Sequence, residues 1–131
     1  MDTGKLKKFA VKARADLLDQ VAARLEYVLN SDTAELRAQA KIVAELKKQI
    51  AATSKEAVVD RVAYTWFNRF TALRFMDVNG YTNPRVVSPA DGATRPEILA
   101  EALAGNLPEK APATISALLE GRSPSNDPQA E

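Results

Sequence analysis

The chain has 131 residues, 46% of them apolar and 27% charged, which is the size and composition of a single soluble domain. It contains no Cys and no His, which excludes disulfides, thiol nucleophiles, histidine bases and nearly every zinc site. The net charge of +1 gives no general attraction to nucleic acid. No apolar run approaches the roughly 18 residues that a membrane span needs, and no signal peptide is recognisable. We therefore expect a cytoplasmic protein with no membrane partner.

The first two predicted helices cover residues 5–29 and 33–52. In each, apolar residues recur at alternating spacings of three and four, which indicates a helical stripe with a heptad seam. Asp32, followed three residues later by Glu35, is typical of a capping box at the start of the second helix. Because a short polar turn joins the two helices, we predict an antiparallel helical hairpin. The seam residues are Val11, Leu18, Val21, Leu25 and Val28, then Leu36, Val43, Leu46 and Ile50.

The third predicted helix, residues 55–78, holds five of the eight aromatic residues and the single Trp. Ser54 is the predicted N-cap, and Gly80 supplies the left-handed residue that a helix end favours. On a helical projection, Trp66 and Phe70 lie on the broad apolar arc, which we expect to close the core. A smaller group lies on the other half and is a candidate interdomain interface: Tyr64, Asn68 and Phe75.

The segment 81–93 is predicted to be a loop, because it contains Asn-Pro, Ser-Pro and Asp-Gly turn signals. Residues 94–97 form a second capping-box pattern, Thr-Arg-Pro-Glu, and short helices are predicted at 94–104 and 112–120. The tail, residues 122–131, is rich in Pro and Ser and is expected to be disordered in isolation. The sequence thus predicts an all-α fold in one helical domain, residues 1–121.

Charged residues near the start of the chain offer two interpretations. Lys5, Lys8 and Lys12 follow helical spacing, with Lys7 beside them. They form either a solvated helix face or a set of DNA phosphate contacts, which would be salt-sensitive and independent of sequence.

Further along the chain, Asp77 follows Arg74 by three residues, which is a pairing distance on a helix.

The residues alone define no active site. The five glycines are scattered, so no phosphate or dinucleotide loop is present, and no two carboxylates form a convincing acid–base pair. Asn83-Pro84 is similar to half of an amino-methyltransferase loop, but Arg85 follows where that loop has Pro, which favours a turn. We therefore predict no catalytic, cofactor-binding or metal-binding residue in this chain.

The aromatic helix and its surroundings resemble one family, the large adenine-specific DNA methyltransferases of BREX phage-defence systems. The resemblance covers nearly the whole chain but only the N-terminal helical region of such an enzyme. The matching segments are Tyr64–Asp77 with Asn79–Tyr81, Lys5–Ala10, Val86–Gly92, Thr94–Glu101, Leu118–Arg122 and Pro128–Glu131.

The resemblance implies a full-length enzyme that uses S-adenosylmethionine to methylate the exocyclic amine of adenine in host DNA. The family's cofactor-binding glycine motif and its Asn-Pro-Pro-Tyr catalytic motif have no counterpart in this sequence, so no cofactor or catalytic residue is carried over. The implied partners are the protein's own downstream methyltransferase domain, double-stranded DNA and other defence-system proteins. The chain is then expected to be a fragment that packs on the catalytic domain.

Two other functions remain open on the residues. A free-standing helical module that pairs through its heptad seams would form a folded dimer in isolation. A small nucleic-acid binder would show duplex affinity with steep salt dependence.

Overall fold

The computed structural model describes residues 2–121, and every regular element in that range is helical. The predicted all-α fold is confirmed. The chain divides into two compact units, Met1–Arg69 and Phe70–Glu131, with the division inside one long helix. The prediction of a single helical domain over residues 1–121 stays a prediction, and the predicted disorder of residues 122–131 lies outside the described residues.

The first unit begins with α1, Thr3–Asn30. Asp2 is its N-cap: the side chain accepts hydrogen bonds from the backbone N–H groups of Gly4 at 3.0 Å and Lys5 at 3.2 Å. These bonds satisfy two of the donors that a helix start leaves unpaired, and the carboxylate complements the positive end of the helix dipole. The N-cap thus fixes the start of the basic segment of α1.

The predicted helix at 33–52 is divided in two: α2, Ala34–Ala38, and α3, Ala40–Ala52. Gln39 lies between them with φ −105° and ψ 25°, outside helical geometry. The predicted capping role of Asp32 is wrong, because the Thr33 hydroxyl accepts from Leu36 N at 3.2 Å. Asp32 instead forms an ion pair with Arg37 at 2.9 Å. The close packing of a hairpin by these helices stays a prediction.

Helix α4, Lys55–Val78, has the predicted bounds. The predicted N-cap is confirmed, because Ser54 Oγ accepts from Ala57 N at 3.0 Å. In the first unit the buried apolar side chains are Leu25 of α1 with Val58 and Ala63 of α4, among the described residues. Lys55 also pairs with Glu26 at 2.7 Å, which joins the start of α4 to α1. The core of this unit therefore lies where α1 and the first half of α4 meet.

The second unit contains the end of α4, then a loop, then α5, Glu97–Leu103, and α6, Ala113–Leu119. The predicted capping box at 94–97 is wrong: Pro96 is the N-cap and makes no side-chain bond. The first N–H groups of α5 bond to loop carbonyls instead, from Glu97 N to Ser88 O and from Ile98 N to Arg85 O, each at 3.0 Å. Because the loop satisfies these donors, no side-chain cap is needed.

Candidate functional site

The second unit contains a carboxylate anchor at the end of α4, formed by Asp77. Asp77 is 4% exposed and accepts five hydrogen bonds from loop residues 82–88. Its Oδ1 accepts from the Thr82 hydroxyl and from Val86 N, the latter at 2.8 Å. Its Oδ2 accepts from Val87 N and Ser88 N at 2.9 Å, and from the Ser88 hydroxyl at 2.8 Å. One side chain therefore binds the loop to the helix.

Electrostatics explain why this arrangement is stable. An acidic residue in the last turn of a helix faces the negative end of the dipole, which is unfavourable unless other donors compensate. Burial by itself raises the pKa of the Asp77 carboxyl. The hydrogen bonds from Thr82, Val86, Ser88 and Val87 outweigh burial and hold that pKa well below its usual range. Asp77 is therefore an ionised structural anchor and not a proton donor.

The predicted pairing of Arg74 with Asp77 is replaced by a relay through a serine. Arg74 donates from Nη1 to the Ser88 hydroxyl, and that hydroxyl donates to Asp77. Ser88 is 1% exposed, so its hydroxyl is engaged on both sides and shielded from solvent. This geometry leaves no nucleophile, since the serine has no free base and no access to a substrate.

An ion pair also holds the loop. Arg85 donates from Nε to Glu97 at 2.8 Å, and both side chains are about one-third exposed or less, at 35% and 27%. The hydrogen bond from Arg85 lowers the pKa of Glu97. This pair joins the loop to the start of α5, as Asp77 joins it to the end of α4.

An exposed aromatic pair lies directly beside the anchor. Gly80 has φ 70°, Tyr81 N bonds to Met76 O at 2.9 Å, and Gly80 N bonds to Asp77 O at 3.2 Å, which is the Schellman ending of a helix. This motif favours an apolar contact across the helix end, and Phe75 and Tyr81 supply it, with ring centroids 6.2 Å apart. Both rings nevertheless remain more than 60% exposed. The helix end thus presents two neighbouring aromatic rings to solvent.

The three predicted interface residues are all exposed. Tyr64 is 64% exposed and Asn68 is exposed, both in the first unit, while Phe75 of the second unit is 61% exposed. Their predicted role in an interface stays a prediction.

The prediction that Trp66 and Phe70 close the core is wrong, since they are 40% and 43% exposed. Helical periodicity shows which residues share a face, but not whether another element covers that face. The Arg69 guanidinium lies over the Trp66 ring, with Cζ 5.1 Å from its centroid.

The predicted phosphate contacts lie on the first three turns of α1 and are exposed. Lys5 is 3.8 Å from Asp2, and Lys12 forms a close ion pair with Asp16. Lys7 and Lys8 form no ion pair with any described residue, and their side chains point to solvent from the same helix. Exposed pairs of this kind contribute little stability, so all four ammonium groups are accessible to an anion.

Residues 2–121 contain no group of three or more carboxylates positioned to hold a metal ion. None of the helices within that range combines the length and hydropathy that crossing a lipid bilayer requires. Within residues 2–121, the glycines with positive φ lie singly after turns and helix ends.

Comparison with known proteins shows which class of protein the chain resembles. It is similar to adenine-specific methyltransferases, which confirms the resemblance predicted from its sequence. It is 30% identical over 151 aligned positions to BrxX of Escherichia coli O9:H4 (strain HS), covering 92% of this chain and 12% of BrxX. It is 29% identical over 133 positions to PglX of Lacticaseibacillus casei (strain Zhang), covering 78% of this chain and 11% of PglX. The chain thus spans 11–12% of each relative's length. No family model and no solved structure matches it.

Proposed function

We propose that this chain is the N-terminal helical module of a S-adenosylmethionine-dependent, adenine-specific DNA methyltransferase of a BREX-type phage-defence system. The observation that carries the proposal is its similarity, over 92% and 78% of its length, to segments of two adenine-specific methyltransferases. Base extrusion and methyl transfer then occur in a catalytic domain outside these residues. The module's role is to pack on that domain and to help position DNA or a protein partner.

The exposed aromatic surface supports a packing role. Phe75 and Tyr81 are held in place by the helix ending and by the Asp77 anchor, so covering them costs little conformational entropy. Rigid, exposed aromatic rings are typical anchors of protein interfaces. Tyr64 offers a further exposed ring on the first unit.

Contact with DNA, where it occurs, is proposed to involve phosphates and Lys5, Lys7, Lys8 and Lys12. Four lysines on one exposed helical segment match the sequence-independent part of duplex binding.

The test compares the isolated chain with the intact protein. Phe75→Ala should leave the thermal midpoint of the isolated chain nearly unchanged, since the ring is 61% exposed, yet lower adenine methylation by the intact protein severalfold. Phe9→Ala is the matched control, because Phe9 is 68% exposed but lies on α1. Equal losses in the isolated chain and the intact protein would contradict the packing role.

The genomic reading frame separates this function from its alternative. A frame that continues past Glu131 into a glycine motif and an Asn-Pro-Pro-Tyr motif supports the methyltransferase module. A stop codon directly after Glu131 favours a free-standing helical interaction module instead.

A further inference from the structure

Charged residues recur every seven positions along one line of α1, in the order basic, basic, acidic, acidic: Lys5, Lys12, Asp19 and Glu26. Seven residues are two helical turns, or about 10.5 Å, so the four side chains lie on one edge of the helix. Opposite charges on this line face each other only if the α1 helix of a second copy lies antiparallel to the first. Lys5 then meets Glu26 of the second copy, and Lys12 meets Asp19.

An apolar stripe lies beside this line; it shares Val11, Leu18 and Leu25 with the heptad seam described above but continues through Ala15 and Ala22. Val11, Leu18 and Leu25 recur every seven residues, and Ala15 and Ala22 fill the intermediate positions. In an antiparallel pair with the charge register given above, Val11 faces Ala22 of the other copy and Ala15 faces Leu18. The apolar register and the charge register therefore agree, with a two-fold axis close to Asp16.

The structure leaves this face open in the N-terminal half of α1, whereas in the C-terminal half Leu18 and Ala22 are half-buried and Leu25 is buried. Val11 is 66% exposed in the N-terminal half. In the C-terminal half, Leu18, Ala22 and Leu25 form the apolar floor of an open groove of about 350 Å³ between α1 and the start of α4.

The groove is acidic on both walls. α1 contributes Asp19 and Glu26, and α4 contributes Glu56 and Asp60. One lysine, Lys55, also lines it and pairs with Glu26. The excess of carboxylates fits a basic helical segment, and the chain carries one in the exposed N-terminal half of α1.

We propose that two copies of this chain associate through α1 in an antiparallel pair, the basic half of each helix lying in the acidic groove of the other. The contact is the same on both copies and closes on itself as a dimer. A parallel pair would not bring this line against its own counterpart, so its basic and acidic halves would not meet. This inference does not depend on the methyltransferase proposal, because it rests on residues of α1 and α4 alone.

The first measurement is the mass of the chain in solution by sedimentation equilibrium. We expect a reversible monomer–dimer equilibrium whose dissociation constant rises with ionic strength, because exposed ion pairs are screened by salt. A monomer at every concentration up to the submillimolar range would overturn the proposal, and so would a dimer insensitive to salt.

Charge exchange tests the register. Asp19→Lys places two like-charged pairs in each dimer, and we expect the dissociation constant to rise about tenfold or more. Adding Lys12→Asp to Asp19→Lys restores complementarity and the original net charge, so dimerisation should return. The matched control is Glu45→Lys on α3, which changes the net charge by the same amount and should leave the dimer intact.

Crosslinking tests the direction. The chain has no Cys, so Val11→Cys and Ala22→Cys introduce unique thiols. Oxidation of a mixture should give mainly the Val11→Cys to Ala22→Cys crosslink. A predominance of Val11→Cys homodimers would indicate a parallel pair and overturn the proposal. Loss of duplex DNA binding in Lys12→Asp, with unchanged self-association, would also overturn it in favour of phosphate contact.

Discussion

Replacing the Asp77 carboxylate by a carboxamide tests the anchor with the smallest possible change in shape. The side chain introduced by Asp77→Asn is isosteric with the original, but one oxygen becomes an NH₂ group that cannot accept. The less harmful orientation puts the NH₂ group at the Oδ1 position, where the Thr82 hydroxyl can rotate to accept. The Val86 N–H, now 2.8 Å from its acceptor, then faces another donor.

The size of the effect follows from that one lost bond. A buried N–H without an acceptor costs about 1–3 kcal/mol. For a chain of this length, such a loss lowers the thermal midpoint by about 3–15 °C. Asp77→Ala should lower the midpoint further, because it removes the acceptor from the Val87 and Ser88 N–H groups as well.

The assay is thermal unfolding followed by circular dichroism near neutral pH. Asp60→Asn is the matched control, since it makes the same chemical change on an exposed carboxylate of the same helix and should shift the midpoint by less than about 2 °C. If Asp77→Asn unfolds within the range of the Asp60→Asn control, the anchor does not hold the loop in solution.

The pH dependence of the same variants gives a second reading. The folded pKa of Asp77 lies below its unfolded value, so the stability it contributes is fully present above about pH 4 and is lost as the pH falls further. The difference in thermal midpoint between the wild type and Asp77→Asn should therefore become smaller as the pH is lowered. If this difference in thermal midpoint stayed constant as the pH fell below about 4, Asp77 would not be the ionised anchor that we assign.

Three further substitutions test the local structure, each by chemical denaturation of the isolated chain. Val58→Ala removes a side chain that is 3% exposed and should destabilise by about 2 kcal/mol; a neutral result would contradict its place in the core. Ser54→Ala removes the α4 N-cap and should cost about 1 kcal/mol, whereas Ser54→Asp should retain most of the stability. Gly80→Ala should destabilise by about 1 kcal/mol, because φ is 70° there.

The helices could be predicted because their signals are local. The predicted bounds of α4 match the observed ones. They were read from the Ser54 cap, the apolar arc and Gly80, which are signals that act within a few residues. The division at Gln39 was not predicted, because a single polar residue in a seam is compatible with a continuous helix. Thr33 and Asp32 are both residue types that favour the N-cap position. The sequence pattern therefore could not show that Thr33, and not Asp32, caps α2.

The anchor could not be predicted from periodicity. Its bonds join Asp77 to residues five to eleven positions later, across a loop whose path depends on all of them together. One signal was nevertheless present: an acidic residue in the last turn of a helix, followed by Ser88-Pro89, requires compensating donors. The exposure of Trp66 could not be predicted either, because burial depends on which other elements reach that part of α4.

The single Trp gives this protein an internal optical reporter. Trp66 is 40% exposed, with the Arg69 guanidinium over its ring, so its indole is in contact with both water and a charge. A neighbour that covered this part of α4 would exclude water from the indole and shift its emission to shorter wavelengths. Docking of a catalytic domain or a protein partner there could therefore be followed by intrinsic fluorescence, without any added dye.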